Sequence, residues 1–307
     1  MEACREAYGK ALLELKGQHP ELVVLDADLA EATYTKYFRK AFPEDFFECG
    51  IAEQNMMAVA AGLATTGLMP FVSTFAVFAT LRASEQFRNS VCYPRLNVKV
   101  AATHAGIECG ADGATHQALE DIAVMRTMAG TTVLVPADAA ATRALVFEAA
   151  AIDGPVYLRM GREKLPGIYK QGEEFHRGGS KRLREGADAA ILACGSRVKA
   201  SLDAAEILEG QGIHASVYDM YSVKPLDMKA IEEAMRTGLI VTAEDHQRSG
   251  GMGSAVCEAV CEAGSCHVVR IGVNDSFGRS GAFGELERIY GIDAGSIALA
   301  CKKALGK

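Results

Sequence analysis

The chain has 307 residues, 49% of them hydrophobic, and its net charge is −7. That length favours two domains, each with a sizeable buried core. The acidic balance and the lack of a basic run argue against nucleic acid and membrane surfaces as partners, and no apolar stretch is long enough to cross a membrane. The nine cysteines include no Cys-x-x-Cys pair and are typical of reduced thiols, so we expect a cytoplasmic protein.

Apolar runs of strand length alternate with helical patterns along the first part of the chain. After a helix over residues 1–16, the pattern predicts strands at 22–25, 46–49, 70–73, 98–102, 133–135 and 156–159, and helices near 53–66, 75–90, 117–129 and 138–151. Such alternation predicts a parallel sheet that helices cover on both faces. We therefore expect buried strands, including the one at 46–49.

Residues 161–185 are rich in glycine and charge, which indicates a linker or crossing segment. A second alternation follows, with strands at 189–193, 213–219, 238–243 and 267–272 and helices at 196–210 and 252–263. The sequence thus predicts an α/β protein of two doubly wound domains. The first is a parallel-sheet domain over residues 1–175, and the second is a smaller α/β domain over residues 186–307.

Several polar residues come just after predicted strands. These residues are Asp28, Glu53, Thr74, His104 and Arg162. Functional groups of parallel α/β sheets gather at the carboxyl ends of the strands, so we expect a site at this edge.

Glu53 lies where the strand at 46–49 turns at Gly50 and leads into a buried helix. A carboxylate at such a junction is costly unless a polar group meets it, and a helix N-terminus offsets part of that cost. The plainer interpretation is a glutamate that caps the helix.

His104 and His116 bracket a glycine-rich loop that contains Asp112. Structural histidines, metal ligands and a polar pocket are all compatible with this pattern. Neither His104 nor His116 has a second His or Cys at helical ligand spacing, which argues against a metal.

Five motifs, taken in this order, resemble transketolase. They are Gly50-Ile51-Ala52-Glu53-Gln54, Ser73-Thr74-Phe75-Ala76-Val77-Phe78, Thr103-His104-Ala105-Gly106-Ile107, Gly110-Ala111-Asp112-Gly113-Ala114-Thr115-His116-Gln117 and Asp219-Met220-Tyr221-Ser222-Val223-Lys224-Pro225-Leu226-Asp227. The first four resemble the pyrimidine-binding domain of that family, and the fifth leads into its C-terminal domain. The resemblance covers almost the whole chain.

The resemblance implies thiamine diphosphate as the cofactor. Glu53 matches the glutamate on its aminopyrimidine ring, which favours the tautomer that removes a proton from the thiazolium carbon. Phe75 and Phe78, three apart on the predicted helix, would stack on the pyrimidine, and Leu81 stands where the family has a third aromatic residue. Asp28 matches an aspartate near the thiazolium ring.

For a sugar substrate, the resemblance implies that His104, Asp112 and His116 contact hydroxyl and carbonyl oxygens, with the imidazoles moving protons. Arg5 and Arg162 match arginines that hold the substrate phosphate.

One position of the phosphate site departs from the family, because Ala32 stands where a serine is expected. Thr33 or Thr35 is a candidate to replace it. Otherwise the substrate carries its anion differently, as a branched sugar phosphate or a sulfonated sugar would. Arg159, two residues before Arg162, is a further candidate anion ligand.

The family binds the cofactor diphosphate through Mg²⁺ with a Gly-Asp-Gly motif and a later asparagine, and no Gly-Asp-Gly occurs here. We therefore expect half of a cofactor site, in the C-terminal subunit of a two-chain transketolase that moves a two-carbon ketol unit between sugar phosphates. An N-terminal partner subunit would supply the magnesium ligands. Two copies of each chain would form a twofold heterotetramer.

Three alternatives remain open at this point. The chain could resemble the β-subunit of a 2-oxoacid dehydrogenase first component, which is expected to lack the paired histidines. It could resemble half of a deoxyxylulose phosphate synthase, which would place this half behind a fused diphosphate domain. The third alternative is a non-catalytic scaffold with the same fold.

Overall fold

The computed structural model describes all 307 residues, which form two large sheets flanked by helices and a small antiparallel pair of two-residue strands, β1 (Glu2–Ala3) and β8 (Lys164–Leu165). The strands are β1 Glu2–Ala3, β2 Leu22–Asp26, β3 Phe46–Glu48, β4 Met69–Phe75, β5 Lys99–Thr103, β6 Thr132–Leu134, β7 Val156–Arg159, β8 Lys164–Leu165, β9 Lys181–Arg184, β10 Ala189–Ala193, β11 Ala215–Asp219, β12 Ser222–Lys224, β13 Leu239–Gln247 and β14 His267–Val273. The helices are α1 Cys4–Lys16, α2 Ala30–Thr33, α3 Lys36–Ala41, α4 Glu53–Thr65, α5 Ser84–Gln86, α6 Asp121–Thr127, α7 Ala139–Ala151, α8 Arg197–Glu209, α9 Met228–Met235, α10 Met252–Ala263, α11 Phe283–Ile289 and α12 Ala294–Ala304.

The larger sheet has seven strands in the order β12-β6-β7-β5-β4-β2-β3. All of its neighbouring strands run parallel except β12, which is antiparallel to β6. Strands β2, β4 and β5 are buried along their whole length, as strands covered on both faces should be. The smaller sheet has the order β14-β13-β10-β11-β9, in which β9 is antiparallel. This architecture confirms the predicted α/β class with parallel sheets.

Two predicted elements differ in the structure. The strand at 46–49 is not buried, because β3 lies at the edge of the larger sheet and its side chains are half-buried or exposed. The helix predicted from residue 75 begins later, because Phe75 still belongs to β4. The segment beyond it is divided into π-helical turns at Phe78–Arg82 and Phe87–Cys92, with α5 between them.

Two strands join the parts of the chain to each other. Strand β12, from the second part, pairs with β6 in the larger sheet, and β9, from the crossing segment, joins the smaller sheet. One hydrophobic cluster of 38 buried residues includes side chains from both parts, among them Val100 and Ile240. The residues at 181–184 are therefore a structural strand and not a free linker. None of the helices combines the length and apolar character needed to span a bilayer.

Asp219, the last residue of β11, is fully buried. The Tyr169 hydroxyl donates a hydrogen bond to its Oδ2 at 2.7 Å, whereas Oδ1 has no partner. Burial raises the pKa of the Asp219 carboxyl from 3.8 to about 8. At neutral pH this carboxyl is protonated in the folded protein and ionised in the unfolded chain.

Replacing Asp219 by asparagine should stabilise the protein at alkaline pH. Between about pH 4 and the folded pKa, the unfolded chain binds fewer protons than the folded protein, so the wild type loses stability as the pH rises through this window. Asparagine removes that loss, and we expect a gain on the order of 5 kcal/mol at pH 8 and almost none near pH 4. Urea unfolding of both proteins at the two pH values measures the difference. Equal midpoints at pH 8 would contradict the raised pKa.

Candidate active site

The side chains predicted to form a site meet at the carboxyl edge of the larger sheet. Asp28 lies two residues beyond β2, Phe75 ends β4 and His104 directly follows β5, while Glu53 opens α4 beyond β3. The parallel pairing of β2, β4 and β5 brings these strand ends to one edge.

Glu53 is the first residue of α4 and is 2% exposed. Its two carboxylate oxygens accept hydrogen bonds from Arg82 Nη1 at 2.9 and 2.8 Å. No side chain caps the N-terminus of α4, so the interpretation of Glu53 as a capping residue is wrong. The buried charge is instead compensated by the guanidinium and by the positive end of the helix dipole.

Phe75 and Phe78 stack face to face, with ring centroids 5.8 Å apart and planes inclined by 14°. They do not share a helix face as the sequence predicts, because Phe75 ends a strand and Phe78 begins a π-helical turn. The change from strand to helix within three residues nevertheless places the two rings together. Leu81 follows on the same turn and is 51% exposed.

Arg82 also lies at this edge of the sheet, although none of the motifs in the sequence includes it. Its guanidinium lies 4.5 Å above the Phe78 ring while it donates to Glu53, and its side chain is 47% exposed. The four-residue spacing from Phe78 is a signal, because residues four apart share a helix face. The proximity of Glu53 is tertiary, and no local pattern predicts it.

His104 is 3% exposed and adopts a left-handed backbone conformation with φ of 58°. Its ring stacks on Phe75 with centroids 3.9 Å apart, and its Nδ1 lies 2.9 Å from the Thr103 hydroxyl. Burial, together with the positive charges of Arg5 and Arg162, lowers the pKa of His104 to about 3. The imidazole is therefore neutral at physiological pH.

His116 is half-buried and meets the same aromatic pair edge-on, 5.5 Å from Phe78 and 6.1 Å from Phe75. The structure thus brings both predicted histidines to one pair of rings. Asp112 is exposed on the intervening loop, with Oδ1 3.5 Å from Arg162 Nη1. No group of three or more His, Cys, Asp or Glu side chains in the chain could hold a metal ion.

Arg5 and Arg162 are direct neighbours. Arg5 donates from Nε to the Arg162 carbonyl at 3.0 Å and from Nη1 to the Ala32 carbonyl at 2.7 Å. Arg162 in turn donates from Nη1 to the Cys109 carbonyl at 2.8 Å. The Arg5 guanidinium thus lies against the backbone of Ala32 and Arg162, and both arginines are close enough to His104 to lower its pKa.

Thr33 and Thr35 do not replace the missing serine. Both are fully buried, and their hydroxyls donate to Asp26 Oδ2 at 2.7 and 2.8 Å. The Leu29 N–H donates to Oδ1 of the same carboxylate at 2.6 Å. Both hydroxyls are engaged by this strand-end carboxylate, so neither is free to meet a substrate anion.

Arg159 is also engaged elsewhere. It is 6% exposed and donates from Nε and Nη2 to the Asp121 carboxylate at 2.6 and 3.1 Å, and from Nη2 to the Asp245 carbonyl at 2.8 Å. Burial opposes its charge, but Asp121 outweighs this effect and raises the pKa of Arg159. Arg159 is thus half of a buried ion pair and does not take the anion-binding role that the sequence suggests.

Asp28 stands apart from these contacts. It is exposed and has a left-handed backbone with φ of 62°, and its N–H donates to Glu48 Oε1 at 2.8 Å. Its backbone is fixed at the end of β2 while the residue remains open to solvent.

Two family models match the chain. The transketolase pyrimidine-binding domain matches residues 2–167, and the transketolase C-terminal domain matches residues 178–297. A chain of Methanocaldococcus jannaschii, provisionally named a transketolase C-terminal section, is 48% identical over 297 residues, which cover 96% of this chain and 93% of that one. The 6-deoxy-6-sulfo-D-fructose transketolase subunit of Clostridium sp. is 41% identical over 297 residues, with coverages of 96% and 92%.

A solved structure described as "Split gene transketolase, inactive beta4 tetramer" has a TM-score of 0.90 and 51% sequence identity, and the match covers 99% of this chain and 98% of that chain. Fold and matches together define a transferase of the thiamine-dependent class. The chain belongs to the transketolase family and corresponds to the C-terminal half of that enzyme. Transketolases depend on thiamine diphosphate.

Proposed function

We propose that this chain is the C-terminal subunit of a two-chain transketolase. It would transfer a two-carbon ketol unit from a ketose phosphate to an aldose phosphate, as in pentose phosphate metabolism. The observation that supports this most directly is the meeting of Glu53, the Phe75–Phe78 pair and His104 at one edge of the sheet. A buried acid, a pair of stacked aromatic rings and a neutral imidazole suit a cofactor ring beside a sugar.

The residues of this edge fit the aminopyrimidine ring of thiamine diphosphate. The carboxylate of Glu53 is buried, and its only hydrogen-bond partner is the half-exposed Arg82, which a ring N–H can replace. Phe75 and Phe78 offer a surface for stacking. When bound, the cofactor supplies a nucleophilic thiazolium carbon. The Glu53 carboxylate would hold the ring N–H and move its proton.

Asp28 and Leu81 complete the cofactor side of the proposed site. Both are exposed, as expected of groups that a second subunit covers. A carboxylate at Asp28 would stabilise the positive thiazolium ring, and Leu81 would pack apolar surface against the pyrimidine.

For the sugar, we assign His104, His116 and Asp112 to its hydroxyl and carbonyl oxygens. The neutral His104 can donate one hydrogen bond and accept another at physiological pH, so it suits contact with sugar oxygens beside two arginines. Arg5 and Arg162 would hold the substrate anion, since planar guanidinium groups match the geometry of phosphate.

A partner subunit would supply the groups that bind the diphosphate and Mg²⁺. Two relatives are named as a section or a subunit of a transketolase, and each aligns over more than nine-tenths of its length. The outer face of α4 carries no charged side chain, which suits burial in a permanent interface beside the site. The exposed residues of this face are Gln54, Asn55, Ala58, Val59, Gly62 and Thr65.

The proposed assembly is a twofold heterotetramer with two copies of each chain and two active sites. We place it in the cytoplasm, where reducing conditions keep the nine unpaired cysteines as thiols.

The purified chain alone, supplied with thiamine diphosphate, Mg²⁺ and sugar phosphates, should show no transketolase activity. Addition of a partner that carries the diphosphate domain should produce it. Fructose 6-phosphate and ribose 5-phosphate serve as donor and acceptor in this assay. Full activity without the partner would contradict the two-chain proposal, and no activity with the partner would favour the non-catalytic scaffold.

A further inference from the structure

The loop between the two site histidines is held by a carboxylate of the smaller sheet. Asp245, near the end of β13, is 3% exposed. Its Oδ1 accepts a hydrogen bond from the Ile107 N–H at 2.9 Å, and its Oδ2 accepts one from the Glu108 N–H at 3.2 Å. One side chain from the C-terminal part of the chain thus fixes two successive residues of the loop that carries Asp112.

The loop approaches this carboxylate so closely that only glycine fits at position 106. Gly106 has φ of 75°, and a Cβ built there would lie 2.1 Å from Asp245 Oδ2. The Gly106 N–H donates to the Ala118 carbonyl at 2.9 Å, which ties the start of the loop to its end. The loop at residues 106–108 therefore packs directly against the Asp245 carboxylate.

The far end of the loop is also held by the C-terminal part. The Gln247 N–H, two residues beyond Asp245, donates to the Leu119 carbonyl at 2.8 Å. Gln117 Nε2 donates to the Arg279 carbonyl at 3.0 Å. Both flanks of the segment with Asp112 and His116 are thus fastened to the smaller sheet and its connections.

We propose that Asp245 is a positioning residue for sugar binding. By fixing the loop at Ile107 and Glu108, it sets where Asp112 and His116 lie, and it makes the C-terminal part of the chain a component of the substrate site. The inference rests on the proposed function, which assigns those two side chains to the sugar. Asp245 acts through the loop and contacts no substrate itself.

The neighbouring residue on β13 offers a matched control. Glu244 is also buried, and its carboxylate also accepts two backbone hydrogen bonds, from Met252 at 2.7 Å and Gly253 at 2.8 Å. Both donors belong to α10, within the same part of the chain. Glu244→Gln therefore removes an equivalent carboxylate from the smaller domain without touching the loop.

The test compares Asp245→Asn with Glu244→Gln. Each change keeps the shape of the side chain and converts one accepting oxygen into an NH₂ group, so one backbone N–H loses its acceptor. Hydrogen exchange of residues 104–119 is measured on the isolated chain. The KM for fructose 6-phosphate and the Kd for thiamine diphosphate are measured on the enzyme assembled with its partner.

Asp245→Asn should speed exchange in residues 104–119 and raise the KM about tenfold, while the Kd for the cofactor stays within twofold. Glu244→Gln should leave the loop exchange and the KM within twofold of wild type, even where it lowers the melting temperature. The proposal is overturned if both variants raise the KM equally, or if Asp245→Asn loosens the loop without raising the KM. A wild-type assembly without turnover would refute the proposed function instead, and the exchange data would still decide whether Asp245 holds the loop.

Discussion

Turnover of the assembled enzyme should fall by about 10²- to 10⁴-fold when Glu53 is replaced by glutamine. The carboxamide keeps the shape of the side chain but cannot take up and return the proton assigned to it. Its NH₂ group would also face Arg82, which donates to both oxygens of the native carboxylate. Deuterium exchange at the thiazolium carbon, measured in the assembled enzyme, reports this step directly.

A suitable control for this change is Glu14→Gln. Glu14 also pairs with an arginine, since Arg143 Nε donates to its Oε2 at 3.0 Å, but both side chains are exposed and lie on α1 and α7, away from the site. The Glu14→Gln enzyme should show wild-type rates of deuterium exchange at the thiazolium carbon and of turnover. Near-normal exchange in Glu53→Gln would remove Glu53 from its proposed role.

His104→Ala should lower kcat/KM for the sugar by about 10²-fold while the Kd for thiamine diphosphate changes by less than about threefold. The imidazole is buried against Phe75 and close to Arg5 and Arg162, the two arginines proposed to hold the substrate anion, so we assign it to the sugar. Its pKa of about 3 means that it does not titrate above pH 5, so no inflection in the wild-type pH profile there should belong to it.

Separate titrations of cofactor and sugar distinguish the two sides of the site. His176→Ala provides the control, because that histidine is 72% exposed in the crossing segment. If His104→Ala lost cofactor binding and kept wild-type sugar kinetics, His104 would contact the cofactor and not the sugar, which would contradict the assignment.

The position of the site could be predicted because it follows from the order of strands and helices. Once β2, β4 and β5 are parallel neighbours, Asp28, Phe75 and His104 must reach the same edge, whatever the rest of the chain does. The sequence correctly predicts that Phe75 and Phe78 lie together, but it predicts the wrong secondary structure for them. A helix was expected, whereas a strand end and a π-helical turn place the rings together.

The partners of buried polar groups could not be predicted, because they come from distant parts of the chain. From the sequence, Arg159 and Arg162 are equally plausible anion ligands near the end of one strand. In the structure, Arg159 forms a buried ion pair with Asp121, whereas Arg162 stays partly exposed beside Arg5. Thr33 is likewise engaged by Asp26. The sequence of a loop does not show which of its hydroxyl and guanidinium groups will donate hydrogen bonds to a nearby carboxylate.

The Arg82–Glu53 contact also affects the stability of the subunit before any cofactor binds. A buried carboxylate without a partner would cost several kcal/mol, and Arg82 removes that cost in the free subunit. The guanidinium is flat, donates N–H groups to Glu53 and covers the Phe78 ring, so it acts as a placeholder shaped much like the ring proposed to succeed it. On the proposed assignment, cofactor binding would replace one flat donor at Glu53 by another, and the Arg82 side chain, already 47% exposed, would return to water.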